Sequence, residues 1–171
     1  MYKLREIDRK DLQKINAWRN DPELIKFLGA PFRYITPEID IRWYEAYLSN
    51  RNTAIRCAIV DEKDQILGLV SLLSIDNLNR SAEFNIMIGD LQNCGKGIGT
   101  FATKQMISHA FNNMNLNRIE LTVLEDNIRA RKLYEKCGFV LEGTKRDCNY
   151  KNGKYVNMCM YAILKKDYIE G

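Results

Sequence analysis

Between residues 84 and 101 a strand-like run gives way to a glycine-rich turn and then to a helix-like pattern. The run is Phe84 to Ile88, and the turn is Gln92-Asn93-Cys94-Gly95-Lys96-Gly97-Ile98-Gly99-Thr100. Few backbone paths satisfy that order. Glycines at alternate positions admit conformations closed to other residues and let the chain approach another molecule closely. A helix starting there leaves its first N–H groups without intrahelical partners, at the positive end of its dipole. Together these features make an anion cradle, most simply for phosphate.

Spacing narrows the kind of cradle. A Walker A loop needs G-x-x-x-x-G-K-[ST], but Lys96 is followed by Gly97. A dinucleotide fingerprint needs G-x-G-x-x-G directly after its strand, in a parallel βαβ unit. Here the glycines run G-x-G-x-G, and Gly89 to Cys94 intervene. A helix start with glycines and no ligand remains an open reading of the loop alone.

The rest of the chain reads as one mixed α/β domain. Leu4 to Ile7 suits a short strand. Asp8 suits an N-cap before a helix carrying Leu12, Ile15 and Trp18 or Arg19. Asp21-Pro22 opens a second short helix, stopped near Gly29. Thr36-Pro37 opens a third, with Ile41, Tyr44 and Leu48 at helical spacing. Ala54 to Val60, Gln65 to Ile75 and Ser81 to Ile88 read as an antiparallel meander. The helix after the glycines carries Phe101, Ala102, Met106 and Ala110 on one stripe. Arg118 to Leu124 is strand-like, and Asn127 to Cys137 is a helix ended by Gly138. Phe139 to Asp147 and Tyr155 to Leu164 form a last hairpin around Asn152-Gly153.

Bulk properties exclude several classes. A length of 171 residues with 46% hydrophobic content supports one real core. A net charge of +4, dispersed along the chain, argues against nucleic-acid binding. The N-terminus lacks the apolar stretch of a signal peptide, and no run is long enough to span a bilayer. A cytoplasmic protein without membrane partners is expected. Cys57, Cys94, Cys137, Cys148 and Cys159 have neither zinc nor disulfide spacing, and His109 is the sole histidine. No metal site is expected.

Two segments together resemble a known family. Gln92-x-x-Gly95-x-Gly97-x-Gly99 resembles the Q/R-x-x-G-x-G-x-[GA] pyrophosphate loop of the GNAT superfamily of acyl-CoA N-acyltransferases. Asn127-Ile128-Arg129-Ala130-Arg131-Lys132-Leu133-Tyr134-Glu135-Lys136-Cys137-Gly138-Phe139 resembles its N-x-x-A-x-x-L-Y-x-x-x-G-F signature. The run from Arg80 to Ile86 resembles the branch of ribosomal-protein N-terminal acetyltransferases and spermidine acetyltransferases. Trp18 to Glu23 resembles relatives that acetylate amino sugars on nucleotides. The resemblance implies a single domain over residues 1–171, with a mostly antiparallel twisted sheet of about six or seven strands flanked by helices. Its order is β-α-α-β-β-β-α-β-α-β-β. Residues 1–50 would be mainly acceptor-side helices and 80–139 the coenzyme-binding core.

The implied reaction is acetyl transfer from acetyl-CoA to a primary amine by direct attack. Gln92, Asn93, Cys94, Gly95, Lys96, Gly97, Ile98, Gly99 and Thr100 would hold the coenzyme, chiefly through N–H groups from Cys94 to Gly99. Lys96 either adds charge or is solvated. In the family the strand before the loop splays from its neighbour, so Ile86, Met87 and Ile88 would supply oxyanion donors. Asn127 and Arg131 would lie near the coenzyme, with Asn127 also an N-cap. Periodicity alone reads Tyr134 as core, beside Ala130, Leu133 and Cys137. The resemblance makes it the acid that protonates the leaving thiolate. Strand alternation sets Ala82, Phe84, Ile86 and Ile88 opposite Glu83, Asn85 and Met87. Glu83 is then either a surface carboxylate or the base, acting through water.

The acceptor stays open between a ribosomal-protein N-terminus, a polyamine and an amino sugar. Glu38, Asp40 and Glu45 either form an acidic pocket or a solvated helix face. Arg33, Arg42, Lys145, Arg146 and Lys151 suit a phosphate instead. Trp18, Phe32, Tyr34, Trp43 and Tyr44 either line a pocket or pack a core. A catalytically silent CoA-binding regulatory module is the alternative, and a monomer or homodimer is expected.

Overall fold

The structure is a computed structural model and describes residues 1–168. Strands β1 (Lys3–Glu6), β2 (Ile55–Val60), β3 (Ile66–Asp76), β4 (Ser81–Ile88), β5 (Arg118–Leu124), β6 (Val140–Lys151) and β7 (Lys154–Leu164) form one sheet. Their spatial order is β1-β2-β3-β4-β5-β7-β6. Every neighbouring pair is antiparallel except β4 and β5. The mixed, mostly antiparallel architecture is the expected one.

Helices α1 (Leu12–Arg19), α2 (Pro22–Ile25) and α3 (Pro37–Ser49) precede β2. All three helices read from the sequence are present, one more than the order implied by the family resemblance. Pro22–Ile25 forms a separate single turn because the Asp21 side chain caps Glu23 N–H and Pro22 starts the turn. The α1–α3 side of the sheet packs through Leu12, Ile15, Trp18, Leu24, Ile25 and Met87, beside a smaller group at Ile7, Tyr47, Ala58 and Val60. Helices α4 (Ile98–Ser108) and α5 (Ile128–Lys136) cover the other side. There Ala82, Phe84, Met106, Phe111, Ile119, Tyr134 and Tyr161 share the main core. Period-two alternation along β4 explains the division, since Phe84 and Met87 are buried in different clusters.

Close approach fixes how α1 meets the sheet. Gly89 follows β4, and a Cβ there would stand 2.0 Å from the Trp18 ring. The indole occupies that space and donates Nε1–H to Asp90 Oδ1 at 3.3 Å. The last hairpin closes as expected. Lys151 pairs with Lys154 across Asn152 and Gly153, both at positive φ, the geometry of a type I′ turn. Strand β6 runs past the expected end at Asp147. A register shift between Lys145 and Asn149, with Asp147 at φ 46°, breaks the period-two pattern there.

Candidate active site

The glycine turn and the start of α4 leave a row of donors uncommitted. Asn93 N–H donates to the Asp90 carbonyl at 2.8 Å, and Cys94 N–H donates to Leu91 at 3.1 Å. Intrahelical bonding resumes when Phe101 N–H donates to the Gly97 carbonyl at 2.9 Å. Among the described residues, the N–H groups from Gly95 to Thr100 have no hydrogen-bond partner. The available set therefore lies one residue downstream of the expected one, because Cys94 is used inside the turn. Gly95 and Gly97 have φ of +87° and +81°, and nothing lies within 4 Å of a Cβ on Gly97. Glycine reaches this left-handed region at no steric cost, the kind of backbone from which anion-binding concavities are built.

Side chains around the turn divide differently from expectation. Gln92 is exposed and Ile98 is buried in the core, so Ile98 offers only its backbone to the turn. Lys96 Nζ donates to Asn93 Oδ1 at 3.2 Å. Asn127 Oδ1 caps Ala130 N–H at 3.1 Å, while its Nδ2 donates to the Phe27 carbonyl at 3.0 Å. Arg131 does not face the turn. Its Nε donates to Tyr161 Oη at 3.1 Å and its Nη1 to the Glu125 carbonyl at 3.0 Å. The Tyr161 contact, more than any other, holds the guanidinium above its usual pKa.

Arg129 faces the turn instead. Its Nη2 stands 3.8 Å from where a Gly95 Cβ would lie. One helical turn on, Leu133 Cδ1 stands 2.7 Å from a Cβ on Gly99. Residues four apart share a helix face, whereas positions 129 and 131 are about 200° apart around the axis. The Leu133 stripe was legible in the sequence and carried the signal for Arg129.

Strand β4 parts from β5 beside the turn. Their parallel pairing runs only from Ser81 with Arg118 to Glu83 with Glu120. Beyond it β4 continues to Ile88 against β3, and β5 continues to Leu124 against β7. The two strands open a wedge. Gly89 N–H donates to the Leu67 carbonyl of β3 at 2.8 Å. Alternation turns the N–H groups of Met87 and Asn85 the same way, and those of Ile86 and Ile88 into the wedge. Met87 is thus committed to β3 through its backbone and to α1 through its buried side chain.

Tyr134 packs between residues of β4 and β7. Its ring packs against Phe84 of β4 at 6.2 Å, Phe139 at 5.9 Å and Tyr161 of β7 at 6.4 Å between centroids. It is 8% exposed, and burial raises its pKa above the usual tyrosine value. The hydroxyl has no hydrogen-bond partner among the described residues. Glu83 projects from the opposite face of β4 and is exposed, at the last paired rung. Three residues separate it from Ile86, about 10 Å along a strand.

The acceptor-side candidates are largely absorbed by packing. Asp40 is fully buried, paired with Arg19 and accepting from Asn16 Nδ2 at 2.7 Å. Glu45 pairs with Arg9 at 2.9 Å. Trp18 is core, and Arg19 and Arg56 both stand over the Trp43 ring, at 5.6 and 4.9 Å. Lys151 is buried and donates to the Ile25 carbonyl at 2.8 Å and to Ala30. Burial lowers its pKa. Asn149 Nδ2 donates to the Gly29 carbonyl at 2.9 Å. With Asn127, these groups tie the turn after α2 to the last hairpin and the start of α5. His109 is half-buried on α4's extension, with Nδ1 3.0 Å from Asn113 Nδ2. Among the described residues there is no cluster of His, Cys, Asp or Glu suited to a metal ion. No described helix is long and apolar enough to cross a membrane.

Residues 2–140 match the acetyltransferase (GNAT) domain family. The chain belongs to that family. It is 30% identical over 167 residues to the spermidine N(1)-acetyltransferase of Vibrio cholerae, covering 97% of this chain and 94% of that protein. It is 29% identical over 168 residues to the enzyme of that name from Escherichia coli K12, covering 98% and 88%. A crystal structure of the Vibrio cholerae spermidine N-acetyltransferase with CoA and spermine superposes with a TM-score of 0.92. That match has 30% identity and covers 99% of this chain and 98% of that one. The protein is an acetyl-CoA-dependent N-acetyltransferase. The uncommitted amides, the open glycine positions and the cationic side chain beside them fit the coenzyme's phosphates.

Proposed function

We propose that this GNAT enzyme transfers acetyl to a primary amine by direct attack, and that the amine belongs to a polyamine. The six uncommitted amides from Gly95 to Thr100 carry the coenzyme half of this reading. They give a pyrophosphate a preorganised set of donors at a helix N-terminus. The wedge gives an extended, amide-bearing arm a strand edge to pair with. Acetyl-CoA supplies the activated acyl group. One of the two wedge-facing N–H groups, Ile86 or Ile88, donates to the thioester oxygen as it becomes negative, a contribution worth about 3 kcal/mol. The other, about 7 Å along the strand, is left to pair with the arm. Tyr134 holds a proton for the departing thiolate, and burial keeps it protonated across neutral pH.

Glu83 acts on the amine through water. A carboxylate about 10 Å along the strand from Ile86 is too far for direct proton removal. Glu83→Gln is expected to flatten or shift the acidic limb of the pH–rate profile, where a base loses activity by protonation. A profile identical to wild type would return Glu83 to an ordinary surface role.

Similarity to two spermidine acetyltransferases over nearly the whole chain supports the polyamine. The carboxylates of α3 lend it little, since Asp40 and Glu45 already have arginine partners. The test is thiol release from acetyl-CoA with spermidine, spermine, amino-sugar nucleotides, aminoglycosides and ribosomal N-terminal peptides. The polyamines should give the highest kcat/KM. Release with another class alone would replace the acceptor. Thermal stabilisation by CoA without release from any amine would favour the silent module.

A further inference from the structure

Of the cationic side chains near the glycine turn, most have protein partners. Lys96 is hydrogen-bonded to Asn93, and Arg131 to Tyr161 and Glu125. Arg129 has no hydrogen bond or ion pair among the described residues, and it is exposed. Its guanidinium nevertheless stands over the turn, 3.8 Å from a Gly95 Cβ position. Gly95 has φ +87°, so the turn leaves that space clear.

The position is electrostatically unusual. Arg129 is in the first turn of α5, directly after the Asn127 cap. A cation there meets the positive end of its own helix dipole, where an acidic residue is favoured. No acidic residue lies in that first turn. Gly95, over which the guanidinium stands, opens the run of uncommitted amides that ends in the first turn of α4. A fixed positive charge thus stands beside a run of uncommitted amides, with no anionic partner for it among the described residues. A doubly charged phosphate resolves the arrangement, and a guanidinium's fork suits paired phosphate oxygens.

We propose that Arg129 is the ionic ligand for a phosphate of the coenzyme, working with the backbone amides of the turn. It binds; it takes no part in the chemical step. The inference rests on the acetyl-CoA reading. Its chemistry is shared by two groups on the coenzyme, the pyrophosphate and the 3′-phosphate.

The experiment compares wild type, Arg129→Gln and Arg129→Lys with acetyl-CoA and 3′-dephospho-acetyl-CoA. Arg129→Gln should raise KM for acetyl-CoA about tenfold or more, the size expected for a lost charged hydrogen bond. Its kcat should stay within about twofold, since the charge serves binding alone, and Arg129→Lys should recover part of the loss. An equal rise for both coenzymes assigns the pyrophosphate. A rise for acetyl-CoA alone assigns the 3′-phosphate. Without coenzyme, Arg129→Gln should melt at or slightly above the wild-type temperature, because no partner among the described residues is lost. Unchanged KM for both coenzymes, or a fall in kcat at constant KM, overturns the proposal. Wild-type protein that CoA fails to stabilise would instead remove the coenzyme reading itself.

Discussion

Replacing Tyr134 by phenylalanine is expected to lower kcat about a hundredfold, at the lower end of the range for general acids. The lower end applies because a thiolate leaves readily even without a proton, its thiol titrating near ~8.5. KM for acetyl-CoA should change less than about twofold, since the proposed coenzyme grip is the turn amides and not the phenol. Stability should hold as well. The hydroxyl has no hydrogen-bond partner among the described residues, so phenylalanine leaves none of them unpaired and keeps the ring contacts with Phe84, Phe139 and Tyr161. Steady-state kinetics and a melting curve separate these effects. A kcat within threefold of wild type, with a pre-steady-state burst absent, would strip Tyr134 of the acid role. Burial raises its pKa by disfavouring the phenolate. Loss of its proton therefore contributes no basic limb to the rate profile below about pH 10.

Arg19→Met should be the most damaging substitution away from the site, costing about 3 kcal/mol. Asp40 is 0% exposed, and Arg19 is its ion-pair partner. Methionine preserves the aliphatic packing but leaves the carboxylate, among the described residues, with Asn16 alone as side-chain partner. The Arg19 contact with the Trp43 ring goes as well. Arg19 is 32% exposed, and solvent screening keeps the expected loss at the low end. Urea denaturation measures it. Adding Asp40→Asn removes the stranded charge and should recover at least half of the loss. A single-mutant loss under 1 kcal/mol would mean that Asp40 does not depend on Arg19 for docking α3 against α1.

The candidate site was partly legible, and the boundary follows the range of the interactions. The glycine turn, the α5 signature and the Asn152-Gly153 hairpin rest on local conformational rules, and each was readable. The two arginines of α5 show where reading stopped. Both lie inside the signature, and both carry the same charge. Only the packing of Leu133 on Gly99 fixes the rotation that turns Arg129 to the loop and Arg131 to Tyr161. The carboxylates of α3 behave likewise. Glu38, Asp40 and Glu45 look equivalent along a helix, yet Arg19 and Asn16 bury Asp40 from another helix altogether.

The amino-acid sequence by itself determined the order of elements, the meander and the position of the glycine turn. Periodicity and backbone freedom act within a few residues, so they need no knowledge of the partner surface. The tertiary structure alone decided that β4 and β5 part after Glu83 and Glu120. It likewise decided which amides of the turn stay free and which face of β4 looks into the wedge. Strand pairing is set between segments more than thirty residues apart, here Ser81 to Glu83 against Arg118 to Glu120. Its failure beyond the third rung leaves no mark on either strand, because both read as ordinary alternating sequence.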